Sequence, residues 1–294
     1  MSVDHKEILK KTNAITDEDL KMKEILPDRR SIVNIIKELQ VVLLPEFFHF
    51  RDYTQENALE AADFELRKVV HACRKLENRD LFVTDDIVDS FLNRLPHVKA
   101  LLKTDIQAIY DGDPAASSKA EVILCYPGFY AISIFRIAHE LYALHVPYIP
   151  RVMTEYAHGK TGIDINPGAT IGPYFCIDHG TGVVVGETAV IGEHVKLYQG
   201  VTIGAKSFQV DEDGLPVKGG KRHPNIGNNV VVYANATILG GDTYIGDNCV
   251  IGGSVWLTRS VEAGHTVYNT KNEQCRQYFN SLGKKYDHTH INNN

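Results

Sequence analysis

Residues 165–204 read INPGATIGPYFCIDHGTGVVVGETAVIGEHVKLYQGVTIG, with an aliphatic side chain at almost every sixth position. The spacing resumes after a gap, and the thirteen positions are Ile165, Ile171, Ile177, Val185, Ile191, Leu197, Ile203, Ile226, Val232, Ile238, Ile245, Ile251 and Leu257. A period of six fits neither a helix nor an ordinary alternating strand. It is typical of a parallel β-helix, in which short strands and tight turns build three faces and three hexads complete one coil. A sandwich with glycine-rich turns is the alternative, which so many regular hexads disfavour.

The period of six is interrupted at three places. Two residues are added before Val185, one is added before Ile245, and a long stretch separates Ile203 from Ile226. A solenoid accommodates extra residues by extruding them as loops on one face, which is often the binding face. We therefore expect an extruded loop over residues 205–221.

Composition limits the class of protein. A chain of 294 residues usually exceeds one hydrophobic core, and 44% hydrophobic with 23% charged residues is typical of globular proteins. The net charge of −6 supplies no basic excess to neutralise phosphates, which argues against a general nucleic-acid-binding protein. Because no apolar run reaches spanning length and the first residues are charged rather than signal-like, we expect a cytoplasmic protein that binds neither nucleic acid nor membranes.

The cysteines indicate neither a disulfide framework nor a zinc site. They are odd in number, widely separated and never arranged as C-x-x-C: Cys73, Cys125, Cys176, Cys249 and Cys275. Such a set fits a reducing cytoplasm. We expect no metal, with Cys176 and Cys249 as small core residues of the repeat.

The half of the chain before the repeat has helical patterning. Apolar residues recur three or four positions apart and predict helices at 31–44, 57–77, 84–95, 98–110 and 129–145. Thr84 is the expected N-cap of the third helix. The fold class predicted is α+β, with an α-helical domain over residues 1–150, a β-helix over residues 151–268 and a C-terminal tail over residues 269–294. The tail shows no repeat and is expected to be partly disordered.

Three clusters of polar residues stand out from the repeat. The first is Asp178-His179, which a repeat strand does not require, although a lone histidine is more often a surface imidazole than a catalyst. The second is Asp164, which lies close to one coil of about 18 residues before His179, so that an Asp–His contact is plausible; it could equally cap the first turn of the solenoid. The third is Lys221-Arg222-His223, at the end of the extruded loop, where such a run is usually just solvated.

At these residues the sequence resembles serine O-acetyltransferase, a family of hexapeptide-repeat acyltransferases. The resemblance rests on DHGTGVVVGETA at residues 178–189, with Asp164 before it and Arg222-His223-Pro224 after it. The helical half also contains stretches that match the family: DIQA at 105–108, DPA at 113–115, GF at 128–129 and FRIAH at 135–139. The resemblance therefore covers roughly residues 103–261. It implies a left-handed β-helix, which is an exception to the usual right-handed crossover.

The resemblance implies an enzyme that transfers acetyl from acetyl-CoA to the hydroxyl of L-serine, giving O-acetyl-L-serine for cysteine biosynthesis. The roles carried over are His179 as general base and Asp164 as its orienting partner, Asp113, Asp178, Arg222 and His223 as the serine-binding group, and Gly204, Ala205 and Ala234 as contacts of coenzyme A. An imidazole is a suitable base near neutral pH, and a carboxylate can fix its tautomer. Direct transfer in a ternary complex needs neither a nucleophilic cysteine nor a metal.

The resemblance also implies an assembly and an inhibitor. The assembly is a homotrimer or a dimer of trimers, with active sites between β-helices. The inhibitor is L-cysteine, acting by feedback. A closed ring is the economical solution for a head-to-tail contact. The chain departs from the family in a longer loop over residues 206–218, in Ala205, and in Tyr233 and Asn235 beside Ala234. It ends in three asparagines rather than the isoleucine that family members insert into cysteine synthase, so we do not expect a cysteine synthase complex.

Three alternatives remain open from sequence. A hexapeptide acetyltransferase acting on a sugar or xenobiotic hydroxyl would keep a base histidine but would not need Asp113 or Arg222-His223. A zinc hydratase would gather histidines at subunit seams, whereas the histidines of the repeat lack a short paired spacing: His179, His194, His223 and His265. A scaffold without activity would not require the polar clusters.

Overall fold

The computed structural model describes residues 28–49, 54–207, 211–215 and 217–269, together with single positions within residues 6–12. Its first half is helical: α1 (Arg29–Leu43), α2 (Gln55–Leu76), α3 (Thr84–Gly112), α4 (Lys119–Cys125), α5 (Pro127–Ala143) and α6 (Ile149–Thr161). The hydroxyl of Thr54 accepts the backbone N–H of Asn57, and that of Ser118 accepts the N–H of Glu121, each at 3.1 Å. These side chains satisfy donors that a helix N-terminus leaves free, and therefore fix where α2 and α4 begin.

Helix α3 corrects the prediction of two helices at 84–95 and 98–110. The helix runs through Pro96 without a break, and its N-cap is Val83 rather than Thr84. A proline inside a helix removes one backbone hydrogen bond at a cost of about 3 kcal/mol. Buried residues continue on one stripe across the proline, at Val88, Phe91, Leu95, Val98 and Leu102. Burial on both sides of Pro96 therefore outweighs the lost hydrogen bond. The presence of a proline in the sequence does not by itself reveal this balance.

Helix α5 is buried on most of its circumference, between α3, α6 and the β-helix. Its close approach to the repeat depends on Gly128, where an added Cβ would lie 2.3 Å from the carbonyl oxygen of Ile177. Across the described residues, no single helix is long and apolar enough to cross a membrane; α4 and α5 pass that test only as a pair, over a bend of 77°.

The second half is a parallel β-helix. Its strands are β1 (Asp164–Ile165), β2 (Thr170–Ile171), β3 (Cys176–Asp178), β4 (Val184–Val185), β5 (Val190–Ile191), β6 (Lys196–Tyr198), β7 (Thr202–Gly204), β8 (Asn225–Ile226), β9 (Val231–Val232), β10 (Thr237–Leu239), β11 (Tyr244–Ile245), β12 (Val250–Ile251), β13 (Trp256–Leu257) and β14 (Thr266–Val267). The first sheet has the order β1-β4-β7-β10-β13, the second β2-β5-β8-β11 and the third β3-β6-β9-β12-β14. Successive strands lie in successive sheets, so the chain winds around a three-sided prism, as the hexads predict.

The core of the prism consists of the aliphatic residues that define the repeat. All thirteen predicted positions are buried. In the second sheet, for example, Ile171, Ile191, Ile226 and Ile245 pair in register along the axis. Cys249 is also buried, as expected for a small core residue, and Cys73, Cys125, Cys176 and Cys249 are unpaired thiols within the described part of the chain.

The interruptions of the repeat lie at the edges of the prism. In the first sheet Asp164 pairs with Val184, Val184 with Thr202, Thr202 with Thr237 and Thr237 with Trp256, so coils of different length keep one register. The long extra stretch, residues 205–221, leaves the prism between β7 and β8, as predicted. Residues 208–210 and 216 of that loop lie outside the described residues.

The junction between the two halves lies a little later than the sequence suggests. The predicted boundary at residues 150/151 falls inside α6, and the first strand begins at Asp164. Helix α6 has its own apolar stripe, at Ile149, Met153 and Ala157, which are all buried. Residues 270–294 of the predicted tail lie outside the described residues.

A buried ion pair joins the helices to the first coil. Arg136 of α5 donates from Nε and from Nη2 to the two carboxylate oxygens of Asp105 of α3, each at 3.0 Å, and both side chains are almost fully buried. Asp105 also accepts the backbone N–H of Phe175 at 3.0 Å, and Arg136 donates to the carbonyl oxygens of Ile171 and Gly172. The pair therefore holds the corner of the chain that leads directly into β3.

We predict that Arg136→Met lowers the free energy of unfolding by about 3–5 kcal/mol, because it leaves Asp105 buried without a counter-ion. Arg94→Met is the matched control, since Arg94 and Glu140 form an ion pair at 2.9 Å between the same two helices with the Arg94 side chain 40% exposed. Water reaches the Arg94 end of this pair, although the Glu140 side chain is only 11% exposed, so its loss should cost less than that of the fully buried pair. Urea unfolding of the two variants measures the difference, and equal losses would contradict it.

Candidate active site

His179 lies in the two-residue insertion of the first coil. Asp178 pairs with Tyr198 and Val184 with Thr202, so residues 179–183 stand opposite the shorter corner 199–201. The backbone of His179 is left-handed, with φ of 60°, a conformation that suits glycine or asparagine better than most residues. Its side chain is 73% exposed. The insertion therefore projects the imidazole out of the prism at the edge between the third and the first sheet.

Two carboxylates stand beside this histidine. Asp178, at the end of β3, has its Oδ1 at 3.8 Å from Nε2 of His179. Asp113 follows α3 and accepts the hydroxyl of Tyr126 at 2.6 Å and the backbone N–H of Ala115 at 2.8 Å. These two hydrogen bonds, with smaller effects from nearby cations, lower the pKa of Asp113 below its ordinary value. The structure thus brings three predicted site residues together, from two elements far apart in sequence.

Lys196 completes this cluster, although the sequence pattern gave it no role. Its ammonium is 2.9 Å from Oδ2 of Asp178 and donates to the carbonyl oxygen of Gly112 at 2.6 Å. The nitrogen also lies 4.5 Å from the centre of the Tyr198 ring. In β6 only the central residue, Leu197, is buried, so Lys196 lies outside the core of the prism. A charged residue at such a position is the signal that the repeat offers.

Asp164 lies one coil before the His179 corner. It starts β1, its ladder partner is Val184, and its backbone N–H donates at 2.9 Å to the carbonyl oxygen of Val183, which ends that corner. Its carboxylate lies 3.6 Å from the guanidinium of Arg151, and no hydrogen bond joins Asp164 to His179 within residues 54–207. Glu155, His158 and Asp164 place one ligand atom each within 4.8 Å of one another. Arg151 also pairs with Glu155, so a cation already balances this group.

Arg222 and His223 lie on another edge of the prism, between the first and the second sheet. The hydroxyl of Thr188 accepts the backbone N–H groups of Arg222 and His223 at 3.0 and 3.1 Å. Glu187 accepts the guanidinium of Arg222 and the hydroxyl of Tyr142, the latter at 3.0 Å. The Arg222 guanidinium lowers the pKa of Glu187 below its ordinary value. Glu187-Thr188 belongs to the motif quoted from the sequence, where neither residue was assigned a role.

The ring of His223 is held neutral. Its Nδ1 accepts the backbone N–H of Thr188 at 3.1 Å, which places the proton of the neutral ring on Nε2. Burial, together with the charges of Arg222 and Lys221, lowers the pKa of His223 to about 4. The ring lies against Gly186, where an added Cβ would be 2.0 Å from its Cδ2. At neutral pH His223 therefore offers a hydrogen-bond donor rather than a charge.

A cleft of about 390 Å³ opens beside the extruded loop. Lys206, Lys221 and Arg222 line it, together with Gly241 and Thr258. Of the residues predicted to contact coenzyme A, Gly204 ends β7 and pairs with Leu239 of β10, Ala205 follows it at the start of the extruded loop, and Ala234 lies in the turn between β9 and β10. The cleft thus concentrates positive charge at the edge that carries Arg222.

The solenoid of hexads, with an exposed histidine on one edge and a cationic cleft on another, defines a hexapeptide-repeat acyltransferase. Residues 48–133 match the family described as "Serine acetyltransferase, N-terminal". A Synechococcus elongatus protein, "Serine acetyltransferase, plasmid", is 44% identical over 260 residues, which is 82% of this chain and 81% of that protein. The crystal structure of Entamoeba histolytica serine acetyltransferase 1 in complex with L-cysteine has a TM-score of 0.72 at 36% identity, covering 90% of this chain and 96% of that chain.

A second solved structure gives the same result at lower similarity. Neisseria gonorrhoeae serine acetyltransferase in complex with serine has a TM-score of 0.56 at 27% identity, covering 82% of this chain and 95% of that chain. The chain belongs to the serine acetyltransferase family. It is an acetyl-CoA-dependent O-acetyltransferase that acts on serine for cysteine biosynthesis, and its fold is the left-handed β-helix of its structural neighbours.

We predict that the unaltered protein loses stability relative to a His223→Gln variant as the pH falls from about 6.5 towards 4. In this window the unfolded chain binds a proton at His223, with its ordinary pKa of 6.5, while the folded chain does not until about pH 4. The contribution is therefore fully present above pH 6.5. Urea unfolding of both proteins between pH 4 and 7.5 measures it, and a difference independent of pH would show that His223 is not held neutral.

Proposed function

We propose that His179 is the general base of acetyl transfer. The imidazole removes the proton of the serine hydroxyl while the oxygen attacks the thioester carbonyl of acetyl-CoA. The tetrahedral intermediate then expels the thiolate, which takes the proton from the imidazolium, so O-acetylserine and free CoA leave together. The observation that carries the proposal is the position of His179 in an insertion that exposes the ring beside Asp178. The serine hydroxyl hardly ionises by itself near neutral pH, which is why a base is needed.

The serine-binding group divides into two halves of opposite charge. We assign the amino group of serine to Asp113 and Asp178, which supply carboxylate oxygens beside His179. We assign its carboxylate to Arg222, whose planar guanidinium can donate two parallel hydrogen bonds, and to the Nε2–H of His223. L-Cysteine has the same amino and carboxylate groups, so the same residues would hold it as an inhibitor.

The orienting carboxylate is proposed to be Asp164. The resemblance to the family supports this role, and the 3.6 Å separation from Arg151 leaves the carboxylate without a hydrogen bond to that guanidinium. A carboxylate that accepts one ring N–H fixes the tautomer in which the other nitrogen acts as the base. Asp178 is nearer to His179 in the free chain, at 3.8 Å, and its proposed task is the amino group.

The cleft beside the extruded loop is proposed to receive acetyl-CoA. Lys206 and Lys221 are suited to phosphate groups, because a lysine ammonium is a compact donor of positive charge. The backbone at Gly204, Ala205 and Ala234 would contact the rest of the cofactor, and no metal takes part in the proposed mechanism. A chain of this kind would act in the cytoplasm, where the thiols of its free cysteines stay reduced.

The proposed assembly is a homotrimer with composite sites. His179 and Arg222 lie on different edges of one prism, and no hydrogen bond or ion pair among the described residues connects their two clusters. A three-fold ring brings the first edge of one chain against the second edge of the next. Each serine would then be held by carboxylates of one chain and by the Arg222-His223 pair of its neighbour.

We predict that His179→Ala lowers kcat by roughly 10²–10⁴, the usual effect of removing a positioned base. His194→Ala is the matched control, because His194 is also an exposed corner histidine with a left-handed backbone, φ of 56°, and stacks on Tyr174 instead. Asp164→Asn should lose less rate than His179→Ala and keep its affinity for serine. Thiol release from acetyl-CoA with L-serine measures all three, and near-normal turnover of His179→Ala would rule out the base.

We predict that co-expression of a His179→Ala chain with an Arg222→Ala chain restores part of the activity that each lacks alone. In a mixed ring some seams receive an intact His179 edge from one chain and an intact Arg222 edge from the other. Mass measurement of the assemblies confirms that mixed rings have formed. If mixed rings remain as inactive as the single variants, both residues act from the same chain and the composite site is wrong.

A further inference from the structure

Lys196 is fixed in the carboxylate cluster by contacts on three sides. Asp178 and the Gly112 carbonyl accept its ammonium, and the Tyr198 ring lies beside it. The side chains of Lys196 and Asp178 are only 15% and 12% exposed, so neither is an ordinary surface lysine or carboxylate. Burial by itself lowers the pKa of Lys196, and contacts with Tyr198 and Asp178 outweigh this, so the pKa stays above its ordinary value. The ammonium is therefore charged at every pH at which the enzyme could work.

The lysine changes the charge that a ligand meets. Asp113 and Asp178 together carry two negative charges beside His179, and Lys196 brings the cluster to a net charge of minus one. Lys196 occupies one oxygen of Asp178, and both oxygens of Asp113 already accept hydrogen bonds, from Tyr126 and from the backbone N–H of Ala115. An incoming ammonium group thus meets carboxylates that already have partners, and it meets a like charge held at hydrogen-bond distance from Asp178.

We propose that Lys196 sets the affinity of the amino-group subsite: it is an internal counter-ion of Asp178 that weakens the binding of every α-amino acid at this site. The inference rests on the proposed role of Asp113 and Asp178 in holding the ligand amino group. Because L-serine and L-cysteine share that group, Lys196 lowers the affinity for substrate and inhibitor by the same factor. It sets the concentration of either amino acid at which the site is half-saturated. The discrimination between serine and cysteine depends on the groups around the hydroxyl or thiol.

The alternative is that Lys196 acts only as a structural tie. Its hydrogen bond to Gly112 joins β6 to the end of α3, immediately before Asp113. A lysine with that task alone would hold Asp113 in place, and its removal would weaken ligand binding. The two roles therefore predict changes of opposite sign, since removal of a like charge strengthens the binding of an ammonium ligand.

The test is the affinity of L-serine and of L-cysteine for Lys196→Met, measured by titration calorimetry, with kcat and KM for serine from the thiol-release assay. We expect both dissociation constants to fall about tenfold, which corresponds to about 1.4 kcal/mol, and KM for serine to fall with them. Lys196→Arg keeps the charge and should stay within about twofold of the unaltered protein. Lys68→Met is the control for loss of one charge elsewhere, because Lys68 is a largely exposed residue of α2.

Unchanged or weakened binding of both amino acids by Lys196→Met overturns the proposal, as does a change that differs between serine and cysteine. If the methionine variant does not fold, Lys196→Gln repeats the test, since its amide can still donate to Gly112 without carrying a charge. An unaltered protein that binds neither amino acid would overturn the proposed function and this inference together. An unaltered protein that binds and acetylates serine, with no gain in affinity on removal of Lys196, would overturn this inference alone.

Discussion

The stacking of aliphatic side chains along the axis of the β-helix fixes the register of every coil. Inward positions pair with their equivalents in the next coil even where the intervening chain is longer, as at Ile165 and Val185 and at Ile203 and Ile238. A slip of one residue would turn the stacked side chains outward, so the core leaves no freedom in register. Extra residues can only leave the prism at its edges. The position of His179 and of the extruded loop therefore follows from the core, although neither contributes to it.

The helical half constrains the same region from outside. Asp105 and Arg136 bind the backbone of the corner that precedes β3, and Gly128 allows α5 to approach the carbonyl of Ile177. Both contacts act within a few residues of Asp178. Asp113 is brought to the site by the end of α3, and Lys196 ties that end to the second coil. The carboxylate cluster thus depends on the docking of helices and solenoid, because each half supplies one carboxylate.

The repeat and its polar exceptions could be predicted from sequence, because both are local in the chain. The thirteen hexad positions and the His179 corner need only spacing and residue type. Lys196 and Glu187 could not be assigned, since their partners Gly112 and Arg222 lie 84 and 35 residues away and depend on how the loops and helices dock. The contact of Asp164 with His179 stays a prediction, because it rests on a regular coil and the two-residue insertion at the His179 corner lengthens this one.

In the proposed ring, the charges on the two edges would make a single chain an incomplete site. The edge with Asp113 and Asp178 is net negative even with Lys196 in place. Lys206, Lys221 and Arg222 leave the other edge net positive even with Glu187 and Asp242 beside them. A zwitterionic amino acid matches one edge with its amino group and the other with its carboxylate, so it is best held where the two edges face each other. In the proposed ring this occurs at every seam, and the same complementarity favours head-to-tail association over a symmetric contact of like edges. Ligand recognition and assembly would then use one charge distribution, because the surface proposed to attract the neighbouring chain is also the surface proposed to bind the substrate.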